Sequence, residues 1–390
     1  MKNHYDLVIL GGGVVGLALA ELLKDLNLSI AIIEEHAPTR YENSHYDLRV
    51  SAINAASIDL FIQCGVWKKI IEDRVSEYKK MFVWSNNAEL LFLAEEAGLS
   101  ELGYIIENRV IRQHLWTAVS EQKNVDLLCP VKIKSVTIEV EDAVIMTSDN
   151  ATIKTTLLIG ADGANSWLRE ELKFPIQISD YPHHALVTTL HIEKPHEKTA
   201  WQHFLPEGPL AFLPLEDEHY VSIVWSLPPE NAAELKSCDI LLFNQKVTEA
   251  MEHKFGKVES IAPRITFPLT RQKLEHYVGE HVAFVGDAAH RVHPMAGQGV
   301  NLGFQGAKNL AKSITEAIEK KRAISDLKIL RHYQRTQKTL ATQMLLMIDG
   351  LNKVFSTENM ILSQTRDWGM RGLNALPWLK KLFIKSANGI

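Results

Sequence analysis

YDLVILGGGVVGLALAELLKDLNLSIAIIEE, residues 5–35, reads as a strand, a glycine turn, a helix and a second strand. DLVIL and SIAIIE are apolar and rich in β-branched residues, as strands covered on both faces are. Leu17, Ala20, Leu22 and Leu23 give the segment between them a helical apolar stripe. The unit is a βαβ unit. Gly11, Gly13 and Gly16 fall in the G-x-G-x-x-G spacing. That spacing permits a tight turn, close approach to a pyrophosphate and close helix–strand contact. Glu34 directly ends the second apolar run, where a ribose-binding carboxylate belongs; its neighbour Glu35 is the weaker choice.

Two further glycine loops follow strands. TLLIG runs into GADGANSWLRE (160–170), and HVAFV (281–285) runs into GDAAHRVHPMAGQGVNLG (286–303), which opens a predicted helix over about 301–319. Free N–H groups at a helix start favour a negatively charged or electron-rich partner. Between these loops, ENRVIRQHLWTAVSEQ (107–122) has a helical pattern and 53–72 a looser one. Residues 131–163 read as a β-meander, and 185–226 as a β-rich insert punctuated by prolines. The chain from about 301 onward reads as mostly helical.

The 390 residues carry a net charge of −5, and 46% are hydrophobic. This is globular composition with room for two domains, and its mild acidity argues against nucleic acid. Cys64, Cys129 and Cys238 lie far apart with no C-x-x-C, which fits a reducing compartment rather than a disulfide framework or a zinc site. His290 and His293 share a loop, but no third ligand is near in sequence, so no metal is expected. The apolar run 7–20 is too short to span a bilayer and lacks a basic flank, so neither a signal peptide nor a membrane span is expected.

Taken in order, GxGxxG, then Asp162-Gly163, then GDAAH-x-x-x-P-x-x-GQG resembles the group A flavoprotein monooxygenases, the p-hydroxybenzoate hydroxylase type. The resemblance implies an α/β fold. A Rossmann-like FAD-binding domain of the glutathione reductase type would carry an inserted β-sheet substrate domain and a C-terminal helical segment. The expected division is FAD-binding over 1–75, 107–180 and 271–330, substrate domain over 76–106 and 181–270, and a helical tail over 331–390. The family's roles then fall on Gly11, Gly13, Val14, Val15 and Gly16 at the pyrophosphate turn and on Glu34 at the ribose. Arg49 is similar to the arginine that reaches the flavin phosphate and ribityl region, and Asp287 to the ribityl-binding Asp. Asp162 and Gly163 resemble the element that touches both FAD and the reductant. Pro294, Gly297, Gln298, Gly299 and Asn301 resemble the loop and helix start beneath the isoalloxazine. Arg112 stands where the family often has a Gln on the ribityl chain, and Gly306 where it commonly has an acid.

HFLPEGPLAFLPL (203–215), SIVWS (222–226), HYQRTQ, MLLMIDGLNKVF (344–355) and LNALPWLKKLFIKSANG narrow the resemblance to the ubiquinone-biosynthesis hydroxylases. This implies FAD, with NAD(P)H as a transient reductant, and oxygen transfer from O2 through a C4a-hydroperoxyflavin to a polyprenylated phenol or benzoquinol. Phe204, Phe212, Pro214, His290 and Pro294 are candidate pocket walls, and no residue is identified as a substrate base. Another aromatic or isoprenoid substrate, or a non-catalytic FAD-binding scaffold in a ubiquinone complex, remains open. Residues 366–390 carry Arg366, Arg371, Lys380, Lys381 and Lys385 against Asp367. A basic amphipathic helix over 377–385 is therefore expected at a partner or at the inner face of the cytoplasmic membrane, on an otherwise cytoplasmic protein.

Overall fold

The opening unit forms as β1 (His4–Leu10), α1 (Val14–Leu22) and β2 (Ile30–Ile33). The computed structural model describes residues 2–39, 45–85, 88–291, 299–356 and 377–389. After β2 come β3 (Val50–Ile53), α2 (Ala55–Gln63), α3 (Trp67–Ile71), β4 (Val75–Tyr78), β5 (Lys80–Ser85), β6 (Ala88–Leu93) and β7 (Gly103–Glu107). Next are α4 (Asn108–Ser120), β8 (Val125–Leu128), β9 (Ile133–Ile138), β10 (Ala143–Thr147), β11 (Thr152–Gly160) and α5 (Trp167–Glu171). The insert contains β12 (Ile176–Ile192), β13 (Thr199–Leu205), β14 (Gly208–Pro214), β15 (Tyr220–Leu227), α6 (Pro229–Ser237), α7 (Ile240–Ala250), β16 (Val258–Ser260) and β17 (Ile265–Leu274). The chain returns through β18 (Val278–Gly279), β19 (Val282–Phe284) and β20 (His290–Arg291), then α8 (Gly299–Glu319), α9 (Leu327–Ser356) and a helix at Pro377–Asn388.

One sheet runs β18-β19-β11-β1-β2-β8, with β19, β11, β1, β2 and β8 parallel. Its central strands are apolar on both faces, and Leu7, Ile9, Ile32, Leu157 and Ile159 are buried in one cluster with residues of α1, α4, α8, β9 and β10. Each such side chain contributes about 1.5–3 kcal/mol of burial free energy. Besides β1 on one edge, β11 serves two partners on the other. Its first half pairs antiparallel with β10, and its second half pairs parallel with β19. The second sheet runs β20-β17-β12-β15-β14-β13-β5-β6, and a third, β3-β7-β4, lies between.

The strands in 75–93 and helices α6 and α7 were not apparent in the sequence pattern, because KMFVWS and ILLF do not keep a clean period over enough residues. The prolines read as punctuation also behave differently. Pro209 and Pro214 lie inside β14, and Pro182 lies where the β12–β17 register shifts. Pro229 opens α6, where its missing N–H is harmless.

α8 packs on α9 through Gln337. Its Nε2 donates to the Leu302 carbonyl at 3.0 Å, and its Oε1 accepts from Asn309 at 3.1 Å. A Cβ at Gly306 would lie 3.3 Å from that Nε2 and 3.3 Å from a Val285 methyl. Gln337 thus occupies the space that an acid at 306 would take. Gly306→Asp is expected to cost about 1–3 kcal/mol by overpacking. Gln337→Ala in the same chain should return part of it in urea unfolding, and an equal loss with and without Gln337 would exclude this contact as the cause.

Candidate active site

The three glycine loops meet at the carboxyl ends of β1, β11 and β19. Gly11 has φ +107°, and a Cβ there would come within 2.5 Å of the Ala161 carbonyl oxygen. At Gly16 a Cβ would lie 2.2 Å from the Gly11 carbonyl. Side chains at Gly13 and Gly163, by contrast, would meet nothing within 4 Å, so these two face open space. Val15 bridges the first and third loops. Its methyls lie 3.2 Å from a Cβ position on Gly286 and 2.8 Å from one on Gly303. Val14 is half-buried beside it.

Glu34 reaches back to the first turn. Its Oε2 accepts from the Gly12 N–H at 2.6 Å and its Oε1 from the His36 N–H at 3.0 Å. Arg112 donates to the Gly12 carbonyl at 2.8 Å and the His36 carbonyl at 2.6 Å, and lies 3.6 Å from the Glu34 carboxylate. It is a brace across the turn and the end of β2. Each carboxylate oxygen keeps a further acceptor position.

Asp162 is largely buried. Its Oδ2 accepts from the Leu168 N–H at 3.0 Å, while Oδ1 is buried without a partner. Burial pushes its carboxyl up, opposed by bonds from Ser166 and Leu168 and by Arg169. Arg169 was missed in the sequence, although it stands in the quoted loop. It is buried and donates to the Ala164 carbonyl at 2.8 Å and the Ala288 carbonyl at 3.3 Å, so it ties the second loop to the third. Asp287 lies in the 3-10 turn Gly286–Ala288. Desolvation raises its carboxyl, opposed by the charges of Arg291 and Arg49. The Asp287 side chain nevertheless keeps an exposed edge to solvent. Arg49 is exposed, and its charge is felt at Asp287.

Two further expected site residues, Asn301 and His290, are engaged by contacts within the protein. Asn301 is buried, with its carbonyl accepting from Ser57 at 2.8 Å and Asn54 N–H at 3.3 Å, and its amide donating to Ala52 at 2.7 Å. It fastens the start of α8 to β3 and α2, leaving its side chain little for a ligand. Gly299 begins α8; Pro294, Gly297 and Gln298 lie outside the described residues. His290, a candidate pocket wall, lies in β20 beside β17. It is buried, stacked on Tyr277 at 5.6 Å, with Nδ1 unpartnered.

The insert sheet has two faces, and strand alternation separates the pocket candidates. Phe212 packs with Phe255 at 5.1 Å in the core beneath α7, and Pro214 shares its side of β14. Phe212 belongs to that core, and Pro214 is buried on the same side of the sheet. Phe204 shares its face with Gln202 and Ala200. Gln202, Ala200, Ala211 and Leu213 line a small cavity of about 20 Å³ against Ala52, Tyr78 and Ile105 of the third sheet. The helix at Pro377–Asn388 packs beside this region rather than standing free. Lys380 is buried and bonds Glu96 at 3.0 Å, and Ile384 joins the same cluster. Among the described residues no group of three or more His, Cys, Asp or Glu is placed to hold a metal.

The FAD binding domain family matches residues 4–346. The chain is 32% identical over 387 residues to 3-demethoxyubiquinol 3-hydroxylase of Escherichia coli (strain K12), covering 99% of this chain and 98% of that protein. It is 34% identical over 436 residues to the mitochondrial ubiquinone biosynthesis monooxygenase COQ6 of Homo sapiens, covering 98% and 92%. The chain belongs to the ubiquinone-biosynthesis family of FAD-dependent hydroxylases. Two solved structures share the fold. One is p-nitrophenol 4-monooxygenase PnpA of Pseudomonas putida, with TM-score 0.81, 13% identity and coverage of 99% and 98%. The other is PqsL of Pseudomonas aeruginosa, with TM-score 0.80, 21% identity and coverage of 95% and 100%.

As a member of this family the chain is an FAD-dependent monooxygenase, with NAD(P)H as the family's reductant. Its residues fit the cofactor: open space over Gly13 and Gly163, an orphaned Asp162 oxygen, and spare acceptor positions on Glu34.

Burial lowers the His290 pKa from 6.5 to about 4, and burial also lowers His196 and His203. The unfolded chain therefore takes up a proton at His290 in this window while the folded chain does not. Stability from this group is whole above about pH 6.5 and lost as pH falls toward about 4, by up to about 3 kcal/mol. His290→Phe should flatten the pH profile of urea unfolding between these values, and an unchanged slope would show that His290 is not the group responsible.

Proposed function

We propose that this chain hydroxylates the ring of a polyprenylated phenol or benzoquinol intermediate of ubiquinone biosynthesis, using NAD(P)H and O2. The observation carrying the reading is a near-full-length likeness to a demethoxyubiquinol hydroxylase, combined with glycine loops built to admit FAD. When bound, FAD supplies the redox chemistry, accepting electrons from NAD(P)H and activating dioxygen. The remaining roles belong to this chain. Gly11, Gly13, Val14, Val15 and Gly16 would seat the pyrophosphate, with Glu34 at the ribose and Arg112 bracing that turn. Asp162, Gly163, Asp287 and Arg49 would hold the central part of the cofactor. The α8 start at Gly299 would turn backbone N–H groups toward the flavin ring, where they stabilise negative charge. Gln202, Phe204, Ala211 and Leu213 would form the wall that excludes water and orients the ring.

Bacterial strains each lacking one aerobic ring hydroxylase of ubiquinone synthesis, expressing this chain, give the test. Ubiquinone restored in one strain, read by mass spectrometry, is the expected outcome and assigns the ring position. Soluble yellow protein without restoration in any strain would reject the assignment. NAD(P)H oxidation stimulated by a different aromatic compound would then point to another substrate, and the absence of any substrate-stimulated oxidation to a non-catalytic scaffold.

The substrate's tail calls for contact with a membrane, and we place this protein at the inner face of the cytoplasmic membrane, in reach of a ubiquinone-biosynthetic complex. Among the described residues no helix is long and apolar enough to cross a bilayer. In the helix at Pro377–Asn388, Lys380 is taken up by Glu96, so only Lys381 and Lys385 remain exposed to meet anionic lipid. Lys381→Glu with Lys385→Glu should reduce cosedimentation with vesicles containing phosphatidylglycerol and leave folding intact. Unchanged cosedimentation would remove this helix as the contact.

A further inference from the structure

Glu107, at the junction of β7 and α4, is buried between two arginines. Arg74 approaches its Oε1 through Nε at 2.9 Å and Nη2 at 2.8 Å. Arg109 approaches Oε2 through Nε at 2.9 Å and Nη2 at 2.7 Å. Both guanidiniums also donate to one backbone oxygen, the carbonyl of His45. The Asp47 N–H donates to Glu107 as well, and the neighbouring Asn108 N–H donates to the Arg49 carbonyl at 2.9 Å. Asp47 in turn accepts from the Arg49 N–H at 3.1 Å. Tyr46 lies under the Arg74 guanidinium at 4.6 Å. These bonds end on the backbone of 45, 47 and 49, not on the core. Their geometry needs the carboxylate, since two like charges aimed at one carbonyl repel unless an anion lies between them.

We propose that Glu107, through Arg74 and Arg109, is a positioning residue for Arg49: it clamps the segment that delivers the Arg49 guanidinium to the recess holding Asp287. The clamp converts an exposed, rotamer-rich side chain on a connecting segment into one with a fixed point of departure. That lowers the entropy lost when Arg49 engages an anionic group. The inference rests on the reading above that Arg49 holds FAD.

The test is FAD affinity, read by flavin fluorescence titration of the apoprotein, with thermal unfolding run alongside. The set comprises Arg49→Ala, Glu107→Gln, Arg109→Lys, and Arg49→Ala combined with each of the latter two. Arg49→Ala is expected to weaken FAD by about tenfold or more, the size of a charge-assisted bond. Glu107→Gln should weaken it by a similar factor. The double variant should bind no more weakly than Arg49→Ala alone. Arg109→Lys keeps the charge but not the forked geometry, so it should weaken FAD less and also have no effect in the Arg49→Ala background. It decides the matter if Glu107→Gln does not fold. Losses that multiply in the double variants, or a clamp variant that leaves FAD affinity unchanged, would overturn the inference while leaving Arg49 as a cofactor residue. No effect of Arg49→Ala would overturn the reading of Arg49, and this inference with it.

Discussion

Backbone packs directly on backbone where the three loops meet, and the rest of the molecule is arranged around that contact. The Gly11 carbonyl fills the place a side chain would take at Gly16, and the Ala161 carbonyl fills the place of one at Gly11. At the neighbouring strand end a Cβ on Gly160 would fall 2.5 Å from the Phe284 ring. This close approach brings the ends of β1, β11 and β19 to a common ledge. Val15, seated between Gly286 and Gly303, locks α1 and α8 to it. Residues far apart in the chain, such as Glu34, Asp162 and Asp287, then border one recess. An added methyl at Gly11 or Gly16 has nowhere to go, because its neighbours are main-chain atoms held by the sheet.

Charge around this ledge is arranged in braces rather than isolated pairs. Arg112 spans Gly12 and His36, Arg169 spans Ala164 and Ala288, and Arg74 with Arg109 meets at His45. Each guanidinium takes its bonds at least partly from backbone carbonyls, and the fork geometry suits two acceptors in fixed relation. These arginines hold loops that have few apolar side chains of their own. Where an arginine is buried, the protein meets its cost with several acceptors, as at Arg169.

The insert sheet divides its work between its faces. One face, with Phe212, Ile223, Trp225 and Leu186, is closed by α6 and α7 and serves as a core. The other, with Ala200, Gln202, Ala211 and Leu213, meets the small β3-β7-β4 sheet across a narrow cavity. Small residues on that face keep the gap open where larger ones would fill it. The helix at Pro377–Asn388 adds Ile384 to the apolar cluster of this face and anchors itself by Lys380 to Glu96.

Much of the cofactor half could be read from the chain itself, because strand period, glycine spacing and a strand-ending acid are local signals. The βαβ unit, α4, the meander and the start of α8 all lie where those signals put them. Position on a face was not local. Phe204 and Phe212 look alike in sequence, and only sheet pairing sends one toward the cavity side and the other into the core. His290 reads as a loop histidine, yet the pairing of β20 with β17 turns it onto Tyr277. Asn301 reads as a helix-start ligand, yet β3 and α2 claim its amide. The lysines of 377–385 look equivalent until docking buries Lys380. In sequence, composition and short-range period determine which elements form and which loops lack side chains. Which polar group is spent on protein and which is left for a ligand depends on partners hundreds of residues away, and only the tertiary structure decides that.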